Sequence, residues 1–278
     1  MTNKIEKDIL QDLNIENKYV IALSGGVDSA VLATIVAKQK LNLRSVFVRH
    51  NQKHSRDLEL SADRIAKKLK IHHKSLDSNL GENSSETKMR EARYEILYSE
   101  LEEDEVLLMG HTLSDKVETF FINLLRGTRV RGLRSIPKMT ESTKRPLLGV
   151  SKENIIKYAK ENDIQYLDDV TNLDNKIIRN WIRNDLIPKV DEKFAGTIEE
   201  KISSLITEIE SIFEITDLDF KYIKTAKGYI EIPVALVDEK NIKSNMYLSL
   251  LSKTIGIPSF QKKDIKKILT AINDEKKV

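Results

Sequence analysis

The sequence predicts an α/β fold, a doubly wound parallel sheet with a helical connector and a small second domain, and three observations carry that reading. Short apolar runs alternate with segments of helical period from Tyr19 to Leu125. The first run breaks on a glycine pair that opens straight into a helix. The helical segments between the runs carry apolar faces suited to covering a sheet. Strands that alternate with helices pair in parallel, cross over right-handed and need helices on both sides.

Tyr19–Leu23 reads as a buried strand, and Val27–Lys40 as a helix with Ala30, Val31, Ile35 and Val36 turned to the sheet. Arg44–Val48 is the second strand. Asp57–Leu69 is an amphipathic helix with Leu58, Ala62, Ile65, Ala66 and Leu69 on one face. Ile71–Ser75 is a weaker third strand, Ser84–Leu101 a long helix and Val106–Met109 a fourth strand. Leu113–Leu125 carries Val117, Phe120, Phe121, Leu124 and Leu125 at helical spacing. Past Gly127 a basic, loop-rich stretch reaches Lys144, helices follow at Ser151–Glu161 and Asn175–Leu186, and Pro188 closes the block. The first domain is therefore expected over 1–190. A connector over 191–216 contains the amphipathic helix Thr197–Phe213, and a small domain occupies 217–278. In that last domain Tyr229–Val234 is extended, and helices fall near Asn245–Thr254 and over Ser259–Ile272, with Ser259 as N-cap.

Composition narrows the function. Hydrophobic residues make up 40% and charged residues 32%, as in soluble globular proteins. No run approaches the roughly 20 apolar residues that cross a bilayer, and Met1–Asn14 has no signal-peptide core, so a cytoplasmic protein with no membrane partner is expected. The chain has no cysteine, which excludes disulfides, thiolate zinc sites, iron–sulfur clusters and any catalytic thiol. A net charge of +3 permits a nucleic-acid patch without requiring one. The oligomeric state stays open, a homodimer included.

The chemistry begins at Ser24, Gly25, Gly26, Val27, Asp28 and Ser29, which join the first strand to the first helix. Paired glycines let backbone approach a ligand closely. The free N–H groups and dipole of the helix start form an anion site. Ser24 and Ser29 add hydroxyls, and Asp28 could cap the helix or hold Mg²⁺. A Walker A loop would need Gly-Lys-Ser/Thr and a dinucleotide loop Gly-x-Gly-x-x-Gly, and neither is present. The plain alternative is a tight turn capped by Asp28, but strand, loop and helix agree on a phosphate site.

SGGVDS after a strand resembles the signature of the PP-loop ATP pyrophosphatases, which split ATP between its α- and β-phosphates. Met89-Arg90-Glu91-Ala92-Arg93-Tyr94 resembles the ARxxRY helix of the tRNA(Ile)-lysidine synthases, and Gly110–Thr119 their GHxxDDxxET segment. Leu125-Arg126-Gly127-Thr128, Arg131-Gly132-Leu133, Arg145–Leu148, Asp169–Asn172 and Arg179–Arg183 continue the likeness in order. It covers about residues 18–190, and 217–278 is only loosely similar to the family's small second domain. Differences are local: the paired aspartates read Ser114-Asp115, Lys116 replaces a glutamine, and Arg49-His50-Asn51-Gln52 replaces an acidic or amide residue followed by histidine, glycine and leucine. The resemblance implies ATP and Mg²⁺ as cofactors, with a tRNA(Ile) precursor and free lysine as partners. The wobble cytidine would be adenylated on its ring oxygen, after which the lysine amine attacks the same ring carbon and expels AMP. The small domain would then touch the tRNA.

Individual side chains follow. Asp115 and Glu118 share one helix face, opposite the Val117, Phe121 and Leu124 stripe. Such a pair is commonly a solvated acidic face, but its place beside His111 after a buried strand favours the cleft. There a carboxylate binds Mg²⁺, for which Asp28 and Asp115 are the candidates, or accepts hydrogen bonds from the lysine ammonium. Arg90 and Arg93, three apart, are candidates for phosphate or for the lysine carboxylate. His50 and His111 stand at matching strand ends, where they could touch ribose, base or phosphate. They lack metal-ligand spacing. Arg126, Arg129, Arg131, Arg134, Lys138, Lys144 and Arg145, with Arg179 and Arg183 further on, suit an RNA backbone, Arg126, Arg131, Arg145, Arg179 and Arg183 first. Trp181 is read as core, and Lys262, Lys263, Lys266 and Lys267 as tRNA contacts or a solvated face. The competing function is a PP-loop homologue that binds tRNA without modifying it, or one that uses another amine or small molecule. A thiolase would need the cysteines this chain lacks.

Overall fold

Tyr19, Val20 and Ile21 are buried on both sides of their strand because β1 (Lys18–Ala22) is the middle of a five-stranded parallel sheet. The computed structural model describes residues 4–50, 54–81, 84–168, 174–194, 197–219, 224–226 and 229–231. Sheet order is β3-β2-β1-β4-β5, with β2 at Asn42–Arg49, β3 at His72–Asp77, β4 at Glu105–Leu108 and β5 at Thr143–Lys144. Val20 stands opposite Arg44 on one side and Leu107 on the other. At the amino ends of the strands Arg44 reaches past β1 to Glu105, with Nε 2.6 Å from Oε1.

Alternation of side chains along the strands divides the core. Tyr19, Ile21 and Phe47 pack with α2 (Val27–Lys38), α3 (Ser55–Leu69) and α6 (Lys152–Glu161) on one face. Val20, Val46, Leu107 and Met109 meet Leu97 and Tyr94 of α4 (Glu86–Ser99) on the other. The sheet is thus doubly wound, as the sequence predicts. Two elements lack a sequence signal. α1 (Lys4–Leu10) is too short to stand alone in water and forms because Ile5 and Ile9 enter the main core. β5 has two polar residues and no apolar run, yet it closes the sheet edge beside β4.

α5 (Leu113–Leu125) has the predicted bounds. The Asn175–Leu186 helix is instead α7 (Ile178–Trp181) followed by a π-helical turn, Ile182–Leu186. Pro188 does not close the block: α8 (Ile187–Phe194) continues without a break from the π-helical turn and carries it, the wider winding before it easing the clash a proline ring meets in a regular helix.

The chain divides into two compact units, residues 1–127 with 135–203, and residues 128–134 with the chain from Ser204. In the second, Arg131 and Arg134 stand over the Phe213 ring of α9 (Ile198–Asp219) at 5.7 and 5.4 Å. β6 (Lys224–Ala226) pairs antiparallel with β7 (Tyr229–Glu231), within the segment expected to be extended. The helices expected at 245–254 and 259–272, with Ser259 and the four late lysines, lie outside the described residues, as do Asn51, Gln52 and Asp169–Asn172. No helix among the described residues is long and apolar enough to cross a membrane.

Candidate active site

Open parallel sheets bind ligands outside the strand carboxyl ends where the strand order reverses. Here that point lies between β1, which winds towards β2 and β3, and β4, which leads the other way. The segments after β1 and β4 are the glycine loop and the His111–Asp115 run.

The loop is built to stay open. Gly25 has φ of +82°, and a Cβ there would collide with the Leu58 carbonyl oxygen of α3. Its own carbonyl accepts hydrogen bonds from the Ser61 hydroxyl at 2.9 Å and the Leu167 N–H at 3.0 Å. Buried Ser29 braces the turn from inside: its hydroxyl donates to the Gly26 carbonyl at 3.1 Å and accepts from the Ser24 N–H at 3.1 Å. Ser24 remains exposed. Gly26 is the N-cap of α2 and has no side-chain cap bond, so Asp28 does not cap the helix and its N-terminal N–H groups are left for a ligand. Val27 is buried beneath the turn. Gly110 completes the approach, since a Cβ there would lie 3.1 Å from the Ser29 nitrogen. A cavity of about 270 Å³ lined by Ser61, Arg64, Tyr166 and Leu167 backs onto these ties, and none of the acidic pair lines it.

The second wall is the start of α5. Thr112 and Asp115 form a capping box, with the Thr112 N–H 2.9 Å from Oδ2 of Asp115. This leaves Oδ1 turned to Arg179 at 3.4 Å and Arg183 at 3.7 Å. Glu118 is 0% exposed rather than solvated. Arg183 grips it with two donors, Nε to Oε1 at 2.6 Å and Nη2 to Oε2 at 3.1 Å. Burial raises the Glu118 carboxyl to about 7 against the pull of Arg183. Burial would also raise Asp115, but His111, the Thr112 N–H and the two guanidiniums hold it below its ordinary value. The π turn matters here. Its wider winding keeps residues 179 and 183 near one line facing α5, while Asn180 and Ile182 are buried.

Asp28 is tied to a residue that no motif announced. Both its oxygens lie 2.7 Å from Nζ of Lys152, the first residue of α6. Burial raises the Asp28 carboxyl and the ammonium draws it part of the way back. Asp115 and Arg183 also act on it electrostatically, so the loop and the acidic pair share one site.

The two histidines are neutral. Burial, aided by Arg93, lowers His50 to about 4, and burial lowers His111 to about 4 with Arg145 and Arg90 contributing. His50 lies between the Ser78 hydroxyl at 3.0 Å and Arg93 at 3.4 Å. His111 accepts from Arg145 Nε at 3.2 Å. Each arginine of α4 thus addresses one strand-end histidine, and Arg90 also lies 5.5 Å over the Tyr94 ring.

Several expectations need correction. Arg145 is 5% exposed and donates to His111 and to the Pro137 carbonyl, so it supports the site from within rather than facing an RNA backbone. Arg179 and Arg183 are committed to the acidic pair. Lys138 pairs with Asp12, and Lys144 donates to the Asp12 carbonyl. Of the arginines expected to contact RNA, Arg126, Arg129 and Arg131 are exposed. Trp181 is not core: it is 39% exposed, on the helix side turned away from the arginine pair. Arg49 adds no unbalanced charge, since it pairs with Asp77 at 2.8 Å and Glu59 at 3.4 Å. Sequence reasoning missed Lys152 and the pairing of the arginines with the acids, because these contacts join residues 124 and 65 positions apart.

No group of three or more metal-ligating side chains occurs among the described residues. Mg²⁺ typically rests on one or two carboxylates plus substrate phosphates, and Asp28 and Asp115 beside a phosphate loop fit that pattern.

Residues 1–190 match the family model described as the PP-loop domain. The chain is 35% identical over 189 residues to the tRNA(Ile)-lysidine synthase of Coxiella burnetii, covering 63% of this chain and 42% of that one. It is 32% identical over 214 residues to the enzyme of that name from Haemophilus influenzae, covering 68% and 48%. The chain therefore spans about half the length of the curated relatives it matches. Among solved structures it resembles the U34-tRNA thiolase NcsA from Methanococcus maripaludis, with a TM-score of 0.59 at 19% identity over 93% of this chain and 89% of the other. That likeness concerns the fold alone.

Proposed function

The chain belongs to the PP-loop family, in which its sequence relatives are tRNA(Ile)-lysidine synthases, and from that premise we propose that it joins lysine to the wobble cytidine of a tRNA(Ile) precursor at the expense of ATP. The observation that carries the reading is the meeting, at one switch point, of an open phosphate loop and an acidic pair, Glu118 buried and Asp115 partly exposed.

The loop binds ATP through the α2 N-terminal N–H groups, Ser24 and the space left by Gly25 and Gly26. The cytidine ring oxygen attacks the α-phosphorus and pyrophosphate leaves, converting a poor leaving group into AMP. The lysine amine then attacks the same ring carbon, the carbon–oxygen bond breaks, AMP departs and the amine loses a proton. Positioning and charge neutralisation do most of this work. Arg90 and Arg93 supply positive charge from α4. Asp115 and Glu118 accept the incoming ammonium, and Glu118, near 7, is tuned to take the proton. Mg²⁺ shared by Asp28, Asp115 and the phosphates would offset charge on the departing pyrophosphate. Arg126, Arg129 and Arg131 are the exposed arginines for the tRNA backbone.

The test gives purified protein ATP, Mg²⁺, lysine and unmodified tRNA(Ile) with a CAU anticodon, then digests the RNA for nucleoside mass spectrometry. A lysine-bearing cytidine is expected. Unaltered cytidine together with salt-sensitive tRNA binding would favour a homologue that binds without modifying. Pyrophosphate release that needs no RNA would favour a small-molecule substrate.

A further inference from the structure

Asp28 presents a conflict. A carboxylate beside a phosphate loop repels the phosphates of a nucleotide, yet a phosphate-bound divalent cation needs such a carboxylate. Lys152 resolves the conflict by placing its Nζ 2.7 Å from both oxygens. That ammonium occupies the two atoms a divalent cation would use. Arg179 and Arg183 are tied to Asp115 and Glu118, which leaves Lys152 as the cation dedicated to Asp28 among the described residues. Its backbone is fixed by the Ser151 cap at the start of α6, while its side chain is 41% exposed and has room to swing. A lysine suits this task better than an arginine: it is a point charge on a flexible stem, not a planar fork locked to one carboxylate.

We propose that Lys152 is an exchangeable counter-ion, neutralising Asp28 until nucleotide arrives, then yielding that carboxylate to the accompanying Mg²⁺ and passing to the phosphate oxygens. The exchange keeps the site near neutrality at each stage and prevents a metal from settling on Asp28 before nucleotide. It rests on the loop being a nucleotide site and not on the identity of the tRNA or the amine.

The test uses the full chain, with Mn²⁺ standing in for Mg²⁺ and free Mn²⁺ counted by electron paramagnetic resonance without nucleotide. Lys152→Met should bind Mn²⁺ about tenfold more tightly than the parent, and adding Asp28→Asn should abolish the gain. The affinity for α,β-methylene ATP with Mg²⁺ should fall about tenfold in Lys152→Met. Lys152→Gln serves as the second variant should the methionine disturb folding, and unfolding midpoints near the parent's establish that each variant is intact. Mn²⁺ binding no tighter than the parent's, or a gain that survives Asp28→Asn, overturns the proposal. So does a metal gain with unchanged nucleotide affinity, which would make Lys152 a plug. A chain that fails to make lysidine must still show the metal gain, so the two readings fail separately.

Discussion

Glu118 is the most consequential single side chain. Its folded value of about 7 lies above the ordinary 4.5, so near neutral pH the folded chain holds a proton that the unfolded chain has lost. The corresponding stability is complete below about pH 4.5 and is lost as pH rises through 7. Glu118→Gln, which mimics the protonated form, should therefore gain stability relative to the parent between pH 5 and pH 8, measured by urea unfolding at each pH. The same variant should slow amine transfer by roughly a hundredfold while leaving nucleotide affinity within about threefold. Arg183→Met should cost roughly 3 kcal/mol at pH 8, because it strands a buried carboxylate, and Glu118→Gln in the same chain should restore most of it. His50 and His111 should keep neutral ring signals in ¹⁵N NMR spectra down to about pH 5. At this scale the places of the loop residues and the acidic pair at the strand ends were legible, because each follows a strand in a local pattern. Lys152 was not, since nothing near it in sequence refers to Asp28, and Trp181 misled because an apolar stripe does not say which side of a short helix meets a neighbour.

Among elements, the start of α5 and the turn before α2 do the positioning. Thr112→Ala removes the capping box and should cost about 1 kcal/mol in urea unfolding. It should also weaken amine transfer more than nucleotide binding, because Asp115 loses the partner that aims its other oxygen. Gly25→Ala combines a positive φ with a clash against α3 backbone. It should lower nucleotide affinity by at least about a hundredfold, read by calorimetry. Most elements were legible: β1 to β4 and α2 to α6 fall within a few residues of their expected bounds, since all but the weak β3 carry an apolar run or stripe. α1 and β5 escaped because tertiary packing, not local pattern, makes them. Pro188 misled because its effect depends on the winding of the turn before it, and here a π turn precedes it.

For the molecule as a whole, sheet order places the site before any residue is considered. The reversal between β1 and β4 brings together two loops that lie more than eighty residues apart in the chain; alternation of strands and helices was enough to expect a doubly wound sheet, but not its strand order. What alternation could not supply was the charge pattern around that point, where Arg145, Arg179 and Arg183, all expected to face RNA, turn inward. Binding of tRNA should accordingly rest on fewer cations than their number suggests. Arg126→Ala and Arg131→Ala should each reduce the slope of log affinity against log salt by about 1. Arg145→Ala should disturb nucleotide binding instead.

The carbonyl of Gly25 is held from two directions, by a hydroxyl from residue 61 and an amide from residue 167. During synthesis on the ribosome the last of these anchors leaves the exit tunnel some 140 residues after the glycines. Nascent chains released before that point should pass an immobilised-ATP column unbound, and chains released shortly after it should be retained. Nucleotide capture thus waits on a residue made long after the glycines that perform it.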